Sequence, residues 1–180
     1  MIHVSALSKQ GIGKSCIIIG GGESIADFDF STIPDGFVRI NCNYPYHGNH
    51  VDYMVYWDKL VADEIEVYGK PCELIGYKHV RLNFMHDSTD FFYKKEDVPM
   101  YDTGLNSLYI ASEIMKFDTV YLVGYDYTGD HYHTRYEKRS REKYFSMVND
   151  KYDMKWRANI TNLNKYSKLD IFNKKTCIIL

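Results

Sequence analysis

A chain of 180 residues with a formal charge of −2 has room for one domain with a sound hydrophobic core, and it lacks the basic field that coats nucleic acid. No apolar run approaches the roughly 18 residues needed to cross a bilayer, and no signal peptide precedes the first strand, so a cytoplasmic protein is expected. Cys16, Cys42, Cys72 and Cys177 occur in apolar or strand contexts without paired spacing, which points to reduced core thiols and away from a disulfide framework or a zinc site. Seventeen tyrosines call for half-buried positions or a cleft, because a phenol buried without a partner is costly.

Residues 1–14 read as a mobile or hairpin leader. Ser8-Lys-Gln-Gly-Ile-Gly-Lys-Ser15 imitates the second half of a P-loop, but a Walker loop runs into a helix and this one runs into Cys16-Ile-Ile-Ile19, a buried parallel strand. That strand meets Gly20, Gly21 and Gly22 at once. Three residues without Cβ atoms allow a phosphate to approach the backbone, and Ser24 at the next helical turn can cap it or hydrogen-bond an anion. Asp27-Phe-Asp29 imitates a metal-binding Asp-x-Asp, but it lies in the connection to the next strand and reads as turn and cap material. The second strand, Phe37 to Asn43, ends in Asn41 and Asn43, which by the period of two share a face and suit a base or ribose edge.

His47 and His50 follow in a turn-rich segment where Gly48 and Asn49 favour a loop, so both are expected at the surface without a metal. Asp52 to Trp57 is a third strand, and Asp58 caps a helix over Lys59 to Tyr68. A fourth strand falls at Cys72 to Tyr77 or at His79 to Phe84. Met85 to Asp102 has no clear period, which marks a functional or mobile connection. The apolar stripe Leu105, Leu108, Ile110, Ala111, Ile114, Met115 makes Gly104 to Lys116 a helix, capped by Asp102 or Thr103. Thr119 to Val123 is a buried strand. Beyond it, Gly124-Tyr-Asp126-Tyr-Thr-Gly-Asp130-His-Tyr-His133 is the stretch richest in chemistry: Asp126, His131 and His133 supply a general base or divalent-metal ligands, and the base is the favoured reading. Residues 135–157 hold eight basic side chains against four acidic ones, net +4, from Arg135 to Arg157. That suits a lid, over about 128–158, closing on a phosphorylated ligand, with Trp156 as anchor. A helix near Thr161 to Phe172 and a strand Thr176 to Leu180 close the chain.

The pattern Gly20-Gly-Gly-Glu-Ser24-Ile, Asp29-Phe, Ile33-Pro, Phe37 and Asn43, with Asp102-Thr-Gly104 and Val120-Tyr-Leu-Val-Gly124-Tyr-Asp126-Tyr, resembles the bacterial sialyltransferases of glycosyltransferase family 42. The blocks span most of the chain. The resemblance implies a single nucleotide-binding domain over residues 1–180: a three-layer α/β/α sandwich with a mainly parallel, Rossmann-like sheet of about six strands and a small lid. It further implies transfer from a nucleotide-sugar, a CMP-sugar first, without a metal or other cofactor, to a glycan or small-molecule acceptor. Gly20, Gly21, Gly22, Ser24, Asn41, Asn43, Thr103, Gly104 and Tyr127 would hold the nucleotide, and Arg135 and Arg157 its phosphate. Three positions differ from the family: Gly21 replaces its Asn, Met100 or Tyr101 replaces its Arg, and no His occurs near Arg157 to Asn159. Two alternatives therefore stay open. One is a Mg-dependent enzyme like the hydroxymethyl-dihydropterin pyrophosphokinases, with Asp126, Asp130 or His133 as ligands; the other is a catalytically inactive nucleotide-binding protein. Association into a homo-oligomer is also left open.

Overall fold

The structure, a computed structural model, describes residues 1–45, 47–78, 85–99, 102–128, 148–175 and 178. In chain order its strands are β1 (Ile2–His3), β2 (Ser15–Ile19), β3 (Val38–Cys42), β4 (Tyr53–Tyr56), β5 (Glu73–Tyr77), β6 (Phe91–Tyr93), β7 (Thr119–Val123), β8 (Asn159–Asn162) and β9 (Asn173–Lys174). The helices are α1 (Lys59–Tyr68), α2 (Thr103–Tyr109) and α3 (Val148–Tyr152), and α2 runs on without a break into a π-helical turn, Ile110–Ile114. Among the described residues the nine strands form one sheet in the order β1-β6-β5-β4-β3-β2-β7-β8-β9, and every neighbouring pair is parallel.

β2 lies near the middle because it has no polar side to show water. Ile17, Ile18 and Ile19 are fully buried, each contributing about 2 kcal/mol of apolar burial. Alternation divides them between two layers. Cys16 and Ile18 join Ile40, Val55, Ile75, Val120 and Leu122 against Leu105, Leu108 and Ala111 of the α2 segment and Val148 and Tyr152 of α3. Ile17 and Ile19 face Ile25, Ile33, Tyr121 and Val123, and farther along the same face Met54, Tyr56 and Leu74 meet Val61 and Ile65 of α1. The sheet is thus covered on both faces, as expected of parallel strands.

Asp58 caps α1 as expected, its carboxylate accepting from the Val61 N–H at 3.1 Å, and Asp102 caps α2 through the Leu105 N–H at 2.7 Å. Asp29 is turn and cap material, accepting from Ser31. The fourth strand is the earlier of the two candidates; His79–Phe84 lies outside the described residues.

Three expectations are corrected. Residues 1–14 are not a mobile or hairpin leader: β1 adds to the sheet edge, Val4 and Leu7 are fully buried, and the Gly11 N–H caps the π-helical turn's end by donating to the Met115 carbonyl at 2.8 Å. Met85 to Asp102 contains a strand, β6, too short for its period to show. The helix expected near Thr161 to Phe172 is absent. Asn159–Asn162 is strand, and two Asn side chains then bend the backbone, Asn162 accepting from the Asn164 N–H at 3.1 Å and Asn164 from the Tyr166 N–H at 2.9 Å. Such local bonds compete with helix. Of Thr176 to Leu180 only residue 178 is described.

Candidate functional site

The chain steps from β2 through β6 toward one edge and from β7 through β9 toward the other, so strand order reverses between β2 and β7. Ligands of open parallel sheets sit outside the carboxyl ends of strands at such a reversal. Here that crevice is stitched shut. The Gly20 N–H donates to the Val123 carbonyl and the Gly22 N–H to the Gly124 carbonyl, both at 2.8 Å. A Cβ on Gly20 would come within 2.5 Å of the Gly124 oxygen, and one on Gly22 within 2.5 Å of the Asp126 carboxyl. The glycines are small because the chain itself approaches them. Gly124 turns with φ +70°, its α-carbon against Ile25, and Gly21 lies in the bend between its neighbours.

Asp126 closes the seam. It is buried, and its carboxylate accepts from the Ser24 N–H at 2.7 Å, the Ser24 hydroxyl at 2.6 Å and the Asn164 amide at 2.7 Å. Ser24 lies within a short 3-10 turn, Glu23–Ile25, not at the start of the helix expected there. The anion at its amino end is Asp126.

The adjoining rim, between the ends of β3 and β7 and the start of α2, is built differently. Asn43 has φ +66°, a left-handed conformation that asparagine tolerates and that breaks strand alternation. Asn41 and Asn43 therefore do not share a face. Asn41 is buried on the α1 side, its amide donating to the Asn43 carbonyl at 3.0 Å and its oxygen accepting from His47 at 2.8 Å. Asn43 turns toward α2, where its side-chain oxygen accepts from the Thr103 hydroxyl at 3.2 Å. Gly104 admits Tyr125 and Tyr152: a Cβ there would lie 2.8 Å from the Tyr152 hydroxyl and 3.1 Å from the Tyr125 ring.

Tyr125, Tyr127 and Tyr152 form an edge-to-face cluster behind this rim. The Tyr125 hydroxyl donates to the Gly104 carbonyl at 2.9 Å and lies 3.3 Å from the Cys42 sulfur. Tyr127, with φ +53°, directs its hydroxyl onto Asp102 at 3.3 Å, and Tyr152 donates to the other oxygen of the same carboxylate at 3.0 Å. The two phenol oxygens also lie within hydrogen-bonding reach of each other, so their two protons are shared among three contacts. Burial holds the Tyr125 and Tyr152 phenols well above their usual pKa and raises the Cys42 thiol to about 11, so these groups stay protonated. Burial likewise raises Cys16 well above its usual value and Cys72 to about 12.

His47 is not at the surface. It is half-buried, stacks on Phe30 with ring centres 4.8 Å apart, accepts from the Asn49 N–H at 3.1 Å and holds Asn41 through its other nitrogen. Burial lowers its pKa to about 4, so it is neutral. His50 is exposed beside Asp52, as expected.

Arg157 is also misplaced by the lid reading. Its guanidinium donates to the carbonyls of Lys116 at 2.7 Å and Phe117 at 3.0 Å and pairs with Asp118 at 2.8 Å, all just before β7 and so at the opposite edge of the sheet. Trp156 donates to the Tyr152 carbonyl at 3.0 Å and packs on Phe172. Asp130, His131, His133 and Arg135 lie outside the described residues, as does residues 129–147 of the lid segment. Among the described residues no group of three His, Cys, Asp or Glu side chains could hold a metal ion. A 530 Å³ hollow lined by Tyr44, Pro45, Asn49, His50, Tyr68 and Pro71 is separate from the rim; neither Asn43, Thr103 nor Tyr127 lines it.

Sequence reasoning treated Asp102 only as a cap and did not single out Tyr125 or Tyr152. Tyr125 was legible in principle, one residue before Asp126 at the end of a buried strand. Tyr152 carried no signal, since its partners are 50 and 25 positions away.

No family model matches the sequence, and no curated protein matches it. Two solved structures share the fold. One is the sialyltransferase CST-II in complex with trisaccharide acceptor and CMP, 14% identical over 90% of this chain and 86% of that one, with a TM-score of 0.53. The other is the sialyltransferase CstII from Campylobacter jejuni in complex with a substrate analogue, CMP-3FNeuAc, 14% identical over 89% of this chain and 85% of that one, with a TM-score of 0.55. At this identity the likeness is one of fold: an α/β, Rossmann-like parallel sheet. No helix among the described residues is long and apolar enough to cross a membrane.

Proposed function

We propose that the protein is a nucleotide-sugar-dependent glycosyltransferase of the sialyltransferase type, working without a metal on a CMP-sugar donor and a glycan or small-molecule acceptor. The observation that carries this reading is the meeting of Asn43 and Thr103 at 3.2 Å, with Tyr127 reaching the residue next to Thr103. Segments from three distant parts of the chain converge there at strand ends, in a fold shared with sialyltransferase structures that hold CMP in one case and CMP-3FNeuAc in the other. In this reading Asn43 and Thr103 address the cytidine and ribose edges. Tyr127 donates to the phosphate as the glycosidic bond to it breaks, and His131 or His133 takes the acceptor's hydroxyl proton.

A catalytically inactive nucleotide-binding protein is the second reading, favoured by one observation: Asp126, the described member of the proposed base set, is fully engaged by three donors. Thermal denaturation with CMP, UMP, GDP, ADP, their sugar conjugates and ATP, each with Mg²⁺ or with EDTA, tests both. Specific ligands raise the melting temperature by mass action. The expected result is a rise of several degrees with CMP and CMP-sugars that survives EDTA. Hydrolysis or transfer of the CMP-sugar separates enzyme from binder, and a response confined to ATP with Mg²⁺ would overturn both in favour of the pyrophosphokinase-like alternative.

A further inference from the structure

The group that meets the rim tyrosines is an acid. Asp102 accepts from Tyr152 at one oxygen and from Tyr127 at the other, while its first oxygen also accepts the Leu105 N–H at 2.7 Å. Tyr152 is fully buried and cannot reach a ligand; Tyr127 and Asp102 are both half-buried and can. A phosphate that takes a hydrogen bond from Tyr127 must therefore do so beside, or in place of, a fixed carboxylate. Like charges at hydrogen-bonding separation repel, and the repulsion grows with each charge on the ligand.

We propose that Asp102 is a specificity-determining residue that makes the rim select phosphodiesters over phosphomonoesters. The inference rests on the nucleotide reading of the site. A CMP-sugar presents one negative charge at its phosphodiester, whereas the CMP released after transfer carries close to two at neutral pH. The extra charge sits against Asp102. The donor is held and the spent nucleotide is expelled, so a single carboxylate biases the site toward turnover and away from product inhibition. An ordinary cap would serve equally well with Ser or Asn, so the charge is what the helix itself does not require.

The test compares binding of cytidine 5′-monophosphate with that of its methyl ester, a monoanion, by calorimetry at pH 8. The proteins are the full chain and its Asp102→Asn and Asp102→Ser variants. Both substitutions keep a capping oxygen for Leu105, and thermal denaturation verifies folding. The wild type is expected to prefer the ester about tenfold, and either variant to lose that preference by gaining affinity for the monophosphate. A purely structural role for Asp102 would weaken both ligands alike. The inference is overturned if the ester preference is absent from the wild type or survives in a folded variant. If neither cytidine compound binds wild type or variants, the nucleotide reading falls, and this inference with it.

Discussion

Two neighbouring stretches of the same rim have opposite constructions. At the β2 and β7 ends, glycines, Ser24, Asp126 and Asn164 form a closed seam in which donors and acceptors meet within the chain. At the β3 end and the start of α2, half-buried Asn43, Asp102 and Tyr127 present polar atoms over a buried aromatic floor. The contrast teaches that a glycine run after a parallel strand does not by itself mean a phosphate cradle. In this chain it marks where two backbones touch.

Breaking the seam is expected to give the largest effect. Asp126→Ala removes the acceptor of three hydrogen bonds and leaves the half-buried Ser24 N–H without its partner, at a cost of about 3 kcal/mol. Urea unfolding measures it. A loss below about 1 kcal/mol would mean that the seam is not what joins the two halves of the sheet.

The sheet was legible because buried strands announce themselves: after their first residues Ser15 and Thr119, Ser15–Ile19 and Thr119–Val123 are apolar and buried, and Asp58 and Asp102 signal helix starts by residue type and position. The short edge strands β1, β6 and β9 were not, since two or three residues show no period. β8 reads Asn-Ile-Thr-Asn, and its polar ends hid a strand whose buried Asn162 serves the Tyr125 carbonyl. At the site, local readings succeeded and pairings did not. Gly20 to Ser24 and Gly124 to Asp126 were both singled out, but nothing in either stretch says that the carboxylate of one would occupy the amides of the other, 102 positions away. Asn41 and Asn43 were separated by a left-handed turn that the sequence does not mark.

His47 supports the β3 end through Asn41, and the effect of changing it is intermediate. Its folded pKa, about 4, lies below the ordinary 6.5, so the unfolded chain binds the extra proton first as pH falls. The stability this histidine contributes is complete above pH 6.5, declines between 6.5 and about 4, and declines no further below that. Allowing for its partial exposure, the loss is on the order of 1 to 2 kcal/mol. In His47→Gln the slope of unfolding free energy against pH across that window should flatten relative to wild type. An unchanged slope would show that the neutral ring is not what positions Asn41.

The smallest effect on stability, and the most informative for recognition, belongs to Asn43. Alanine would confuse the outcome, because φ +66° is strained for an ordinary side chain and adds its own cost of about 1 kcal/mol. Asn43→Gly keeps that backbone and deletes only the amide. The 3.2 Å bond to Thr103 is lost, worth about 0.5 to 1 kcal/mol, so the protein should remain folded. If the open rim is where a nucleotide is read, the melting-temperature rise with CMP should vanish in this variant while Ser24→Ala, behind the closed seam, retains it. The reverse pattern would put recognition back at the glycines and abolish the distinction between the two regions.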